Sequence, residues 1–172
     1  IHYNGKYFEA GLTAVYNVFN KVLNPTARAY NKYYPRGRDF FNAGINYKLF
    51  WKKFTLQGET AMDKNGRIAT MNMLRYSPKN DLQLIVMNRF YDVAYQSIYA
   101  RSIGEGSSVQ NESGFYIGLE TSLLKYFKLS AYGDFFYFPW KKYQLSKNGT
   151  SGFDGVCQLS YSPSYQLDMF IR

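Results

Sequence analysis

A strict alternation of apolar and polar residues over 115–140 constrains the fold of this chain more than any other feature. Phe115 and Ile117 alternate with Tyr116 and Gly118, and the same period resumes after a short break at 123–126. A period of two predicts β-strands whose successive side chains point to opposite faces of a sheet. Two such runs joined by a few residues predict a β-hairpin with one apolar face and one polar, charged face.

The same alternation recurs along most of the chain and predicts about nine strands. Their approximate ranges are 6–19, 41–50, 54–63, 67–76, 81–91, 115–122, 127–138, 153–161 and 166–172. The pattern of 67–76 is ambiguous, and we expect either Ala69, Met71 and Met73 on the polar face or a local bulge.

The connections between these strands are predicted to differ in length between the two ends of the sheet. Long loops are expected at 24–39, 92–113 and 140–152, at the same end as a tight Asn-Gly turn at 64–66. The connections at the other end are short. Outer-membrane β-barrels show this asymmetry, with long extracellular loops and short periplasmic turns.

These patterns predict an all-β fold, an antiparallel transmembrane β-barrel of the outer-membrane type. The mean hydropathy of −0.40 agrees with such a wall, because only alternate residues would meet lipid. No run approaches the roughly 20 apolar residues that a transmembrane helix needs. Residues 1–172 are expected to form a single barrel domain or a fragment of one, and an odd strand count favours an incomplete barrel.

Charged residues of the polar phase are expected to face the barrel lumen, either in structural pairs or in a selectivity or transport role. They are Glu59, Asp63, Arg89, Glu120, Lys128, Asp134, Asp154 and Asp168. An aromatic girdle at the membrane boundary is predicted at Phe135, Tyr137 and Trp140.

The net charge of +9 comes partly from basic residues of the predicted loops. These are Arg28, Lys32, Arg36, Arg38, Arg101, Lys141 and Lys142. Solvated loop charge or contact with lipid head groups is the favoured interpretation, and a nucleic-acid or other anionic partner is the alternative. No enzymatic activity, metal or cofactor is predicted, because the one histidine is His2 and no Cys/His spacing suits zinc.

Four segments resemble a known protein family. They are GETAMDKNGRIAT at 58–70, NRFYDVAYQSIYARS at 88–102, NESGFYIGLE at 111–120 and YGDFFYFPWKKY at 132–143. In these segments the chain resembles the C-terminal β-barrel region of Bacteroidetes outer-membrane helix-hairpin-helix proteins. The helix-hairpin-helix units of that family are competence-like, that is, related to competence DNA-binding proteins. The resemblance implies a location in the outer membrane of a Gram-negative bacterium.

The predicted function is a pore or scaffold in an envelope complex, with a link to the passage of DNA or other macromolecules. Outer-membrane lipid and other envelope proteins are the expected partners. One alternative is a non-conducting barrel that anchors or assembles partner proteins. Another is a soluble β-sandwich that acts as a binding module.

Overall fold

The computed structural model describes residues 1–145 and 147–172. Ser146, which belongs to the predicted loop 140–152, lies outside the described residues. The described chain forms one antiparallel sheet of ten strands in which each strand pairs with its neighbours in sequence. The strands are β1 His2–Asn4, β2 Phe8–Leu23, β3 Gly37–Trp51, β4 Phe54–Asp63, β5 Ile68–Lys79, β6 Leu82–Tyr91, β7 Glu112–Leu124, β8 Phe127–Phe138, β9 Thr150–Ser164 and β10 Leu167–Ile171.

The pairing register confirms the alternation predicted from the sequence. One row of directly paired residues crosses β2 to β7 and is apolar throughout: Phe8, Leu49, Leu56, Leu74, Val86 and Ile117. We call the side of the sheet that carries this row the apolar face and the opposite side the polar face. Met71 pairs with Glu59 of the polar face, so the prediction that Ala69, Met71 and Met73 lie there is confirmed.

The two faces are buried in the reverse of the order expected for a sheet in water. Ile117 and Phe153 of the apolar face are 46% and 61% exposed. Arg89 and Asp134 of the polar face are 2% and 8% exposed. Charged side chains are almost never fully buried unless they are paired, whereas large apolar patches on soluble proteins are rarely left open.

Long and short connections are segregated between the two ends of the sheet, as the sequence predicted. The end that we call the loop end carries the connections 24–36, 92–111 and 139–149 together with the turn 64–67. A short 3₁₀ helix, Ala29–Asn31, lies in the first of these connections. At the opposite end each connection has two or three residues.

Several strand bounds correct the sequence prediction. The described residues form ten strands rather than nine, because β1 has three residues and is too short to show an alternating pattern. β2 continues to Leu23, and β3 begins at Gly37, so Arg38 lies in a strand rather than in a loop. β7 begins at Glu112, which the sequence assigned to the long loop. Backbone pairing carries these strands beyond the residues whose side chains alternate clearly.

The sheet is open. In the part of the chain that the structure describes, β1 pairs only with β2 and β10 only with β9, so the all-β prediction is confirmed and the sheet is not closed into a barrel. That the sheet belongs to an outer-membrane barrel stays a prediction. Among the described residues, no helix has the length and apolar character needed to cross a membrane.

Candidate functional site

The charged residues predicted from the polar phase occupy the same side of the sheet. Register pairs place Glu59, Asp63, Arg89, Glu120, Lys128, Asp134 and Asp154 on the polar face. Asp168 lies at an irregularity in the pairing of β10 and accepts a hydrogen bond of 2.7 Å from the Ser162 hydroxyl. That this face borders a lumen stays a prediction.

Three neighbouring strands bring Arg89, Glu112 and Asp134 together in a buried charged cluster. Arg89 Nε donates to Glu112 Oε1 at 2.7 Å, and Arg89 Nη1 donates to Asp134 Oδ1 at 2.8 Å. Glu112 is fully buried. A hydrogen bond between charged groups is roughly twice as strong as one between neutral groups, and a buried charge needs such a partner. We call these three residues the buried cluster.

Gly114 of β7 allows Arg89 to reach Asp134 across the intervening strand. It pairs directly with Arg89, and a Cβ atom added at Gly114 would overlap the Arg89 guanidinium. Any larger residue would therefore displace the arginine or break its two ion pairs. The absence of a side chain at this position is a condition for the buried cluster.

Glu112 also holds the long β6–β7 connection, residues 92–111, against the sheet. Its carboxylate accepts hydrogen bonds from the backbone N–H of Glu105, at 3.0 and 3.1 Å, and of Gly106, at 3.1 Å. One carboxylate thus joins β6, β7 and the loop. The sequence prediction missed Glu112, although its position shares the period of Gly114 and Tyr116 and an extension of the alternation would have found it.

Lys142 of the β8–β9 connection lies near this cluster. Its ammonium is 4.3 Å from the centre of the Phe138 ring. Burial lowers the pKa of Lys142, and the negative charge of Glu112 partly opposes this effect. Lys142 and the buried cluster together bring two basic and two acidic groups to the loop end of the sheet.

The remaining predicted charges are less concentrated. Glu120 and Lys128 form an ion pair of 2.8 Å whose side chains are about half exposed. Asp63 Oδ1 accepts from the backbone N–H of Asn65 and Arg67, and its Oδ2 accepts from that of Gln96. Asp63 is thus a structural residue that fixes the β4–β5 turn and ties it to the β6–β7 loop.

Side-chain amides connect the three long loops to one another. Gln110 Nε2 donates to the carbonyl oxygens of Tyr33 and Val93 at 2.6 and 2.7 Å. Asn111 exchanges two hydrogen bonds with the backbone of Trp140, at 2.7 and 3.0 Å. We call the connections 24–36, 92–111 and 139–149 together the loop cap.

The predicted aromatic girdle is divided between two places. Phe135 and Tyr137 lie on the apolar face and are 54% and 45% exposed. Trp140 belongs to the loop cap, where its indole N–H donates to the Ala29 carbonyl at 2.9 Å and its ring packs edge-on against Tyr33. Its contacts are with the loops rather than with lipid or the strands of the apolar face.

Five of the predicted basic residues make contacts within the chain. Lys32 lies over the Tyr33 and Trp140 rings, Arg36 donates to Asn24 and Pro25, Arg38 to Phe19, Arg101 to Ser107, and Lys142 lies over Phe138. Arg28 and Lys141 belong to the same end of the sheet. Because of these contacts, fewer of the basic side chains face solvent without a protein partner.

No cluster of three or more His, Cys, Asp or Glu side chains suited to a metal ion occurs in residues 1–145 and 147–172. The geometry of this face is that of a polar, ion-paired surface covered at one end by loops. No protein-family model, curated protein or solved structure matches the chain.

Proposed function

We propose that this chain is part of the wall of an outer-membrane β-barrel in a Gram-negative bacterium, and that it serves as a scaffold in an envelope complex. The observation that carries the proposal is the reversed burial of the two faces. Exposed apolar side chains lie on one side of the sheet from β2 to β10, and the other side carries the buried, ion-paired cluster of Arg89, Glu112 and Asp134. Lipid outside and a polar interior inside account for this distribution.

Strand length supports the same proposal. A transmembrane β-strand needs about 9 to 11 residues, and β2 to β9 each have at least ten. The open edges at β1 and β10 would leave backbone groups without partners in lipid, which is costly. The proposal therefore includes further strands, from this protein or from a partner, that complete the barrel.

The loop cap favours a scaffold over an open pore. Glu112, Gln110 and Asn111 fasten the three long loops to the polar face and to one another. A lumen closed at this end would conduct poorly. The pore remains the second candidate, because the polar face carries charged groups along most of its strands, as water-filled barrels do.

Cys157 provides a direct test of which face meets lipid. It is a free, exposed cysteine on the apolar face, and its neighbour Gln158 lies on the polar face. An environment-sensitive fluorophore on Cys157 in liposomes should be quenched by lipids brominated in their acyl chains. The matched control carries the fluorophore on Gln158→Cys in a Cys157→Ser background, and aqueous iodide should quench it. Equal quenching of both positions by iodide would refute the membrane proposal.

Recordings in planar bilayers distinguish the scaffold from the pore. We expect the inserted protein to show no steady single-channel conductance. Stable conductance steps would instead establish the pore.

A role in DNA passage is a separate proposal, supported by the basic residues gathered at the loop end. Binding to duplex DNA should then weaken steeply with added salt, because phosphate contacts release counterions. The absence of binding at low salt would remove the DNA proposal and leave the membrane proposal intact.

A further inference from the structure

A cavity of about 430 Å³ lies between the polar face of β4 to β6 and the β6–β7 loop. Ala61 and Ala69 pair directly and contribute only methyl groups, while Tyr91, Tyr95 and Val109 contribute larger apolar side chains. Ligand pockets have volumes of about 300 to 1,000 Å³, with mostly apolar linings and a few polar groups that orient the ligand. This cavity has both properties.

Hydrogen bonds attach the loop to the sheet on both sides of residues 97–101. Asn42 Nδ2 donates to the Tyr95 hydroxyl at 3.3 Å and to the Gln96 carbonyl at 2.9 Å. The Tyr91 hydroxyl lies 2.6 Å from Ser102 Oγ and donates to the Ile103 carbonyl at 2.7 Å. Residues 97–101 lie between these attachments, and Ala100 and Arg101 line the cavity.

Two exposed groups of opposite charge, Glu59 and Arg101, are among the residues that line the cavity. Glu59 has no cationic side chain within ion-pair distance among the described residues. Arg101 Nη1 donates to the Ser107 carbonyl at 3.1 Å, which leaves other guanidinium N–H groups for a ligand. Guanidinium groups bind carboxylates through paired hydrogen bonds, and a carboxylate such as Glu59 accepts from an ammonium group.

We propose that this cavity binds a small zwitterion with an apolar body, of the size of an amino acid or dipeptide. The apolar body of the ligand would lie over Ala61 and Ala69. The ligand ammonium would contact Glu59, and the ligand carboxylate would contact Arg101. This inference does not depend on the membrane proposal, because the cavity is built from the loop and the polar face alone.

Equilibrium dialysis of the dipeptide Leu-Phe against the full chain in detergent micelles tests the proposal, with protein-free micelles as the blank. We expect saturable binding of the free dipeptide. N-acetylation and C-terminal amidation, which each remove one charge, should weaken binding about tenfold or more, as expected for the loss of a hydrogen bond between charged groups. Absence of binding at millimolar dipeptide would overturn the proposal.

Two variants locate the site. Glu59→Gln should weaken binding of the free dipeptide about tenfold, which corresponds to about 1.4 kcal/mol, and leave binding of the N-acetyl form unchanged. Glu9→Gln, on the same face but outside the cavity, is the control. Ala61→Leu should abolish binding by filling the cavity, whereas Ala43→Leu on the apolar face should not. Equal effects within either pair would contradict the assignment.

Discussion

Replacement of Glu112 by Gln should lower the free energy of unfolding far more than replacement of Glu120 by Gln. Both carboxylates form ion pairs at nearly the same distance, 2.7 Å to Arg89 and 2.8 Å to Lys128. They differ in environment, since the Arg89–Glu112 pair is almost fully buried and the Glu120–Lys128 pair is about half exposed. Burial is the main difference between the two pairs, and only Glu112 also accepts hydrogen bonds from the backbone N–H groups of Glu105 and Gly106.

The magnitudes follow from what each variant leaves behind. Loss of one partner of a buried ion pair costs about 3 to 5 kcal/mol, because the remaining charge is left uncompensated and out of water. Arg89 keeps its second ion pair, with Asp134 at 2.8 Å, so the lower end of this range applies. Glu112→Gln also weakens the acceptance of the Glu105 and Gly106 N–H groups. We therefore expect a loss of about 3 kcal/mol. An exposed pair is worth about 0 to 1 kcal/mol, so Glu120→Gln should change stability little.

Urea unfolding in detergent micelles, followed by far-ultraviolet circular dichroism, measures the difference when both variants show the same dependence on denaturant as the parent. A second assay reports on the loop itself. Arg101 is the one basic residue of 92–111, so trypsin cleavage after it measures loop release. Glu112→Gln should accelerate this cleavage, and Glu120→Gln should not. Equal shifts of both variants, each below about 1 kcal/mol, would refute the reasoning from burial.

Three further changes test other parts of the structure. Gly114→Ala should cost about 1 to 3 kcal/mol in urea unfolding, because its methyl group would displace Arg89. Gly44→Ala has its nearest non-bonded neighbour at 3.5 Å and should be tolerated, so equal losses would contradict the steric argument. If the apolar face meets lipid, Ile117→Arg on that face should reduce stability in liposomes by about 2 to 4 kcal/mol. Ile85→Arg on the polar face is the control and should cost less. The reverse order would argue against lipid contact. Burial raises the pKa of Tyr95 above its ordinary value of 10.0. The shift therefore contributes fully to the stability of the fold below pH 10, and this contribution is lost as the pH rises through the raised pKa of the Tyr95 hydroxyl. Tyr95→Phe should flatten this alkaline loss in unfolding midpoints measured against pH, relative to the exposed control Tyr7→Phe, and identical slopes would contradict the assignment.

The buried cluster shows how far spacing alone can reach. Arg89 and Asp134 were placed on the same face from their phase, and the register agrees. Their contact was not predictable, because it depends on Gly114 in the strand between them and on the rotamer of one long side chain. Glu112 was missed since it follows a glycine- and serine-rich loop, where the period of two is hard to recognise.

Loop contacts lay further beyond prediction. Trp140 continues an aromatic run in the sequence, yet it is held by Asn111 and by the Ala29 carbonyl, which is more than a hundred residues away. The cavity beside Ala61 likewise exists only because the β6–β7 loop folds back over the sheet. Such contacts join segments that are distant along the chain, and no local pattern records them.

Local sequence defines the two faces of the sheet, because the side chains of a strand alternate with a period of two. It also determined the segregation of long and short connections, since turn residues and strand lengths are read directly from the chain. Only the folded chain shows that the loop cap covers one end of the sheet and that Glu112 closes the buried cluster. Each of these depends on the energy of contacts between remote segments, which is settled only when the chain is folded.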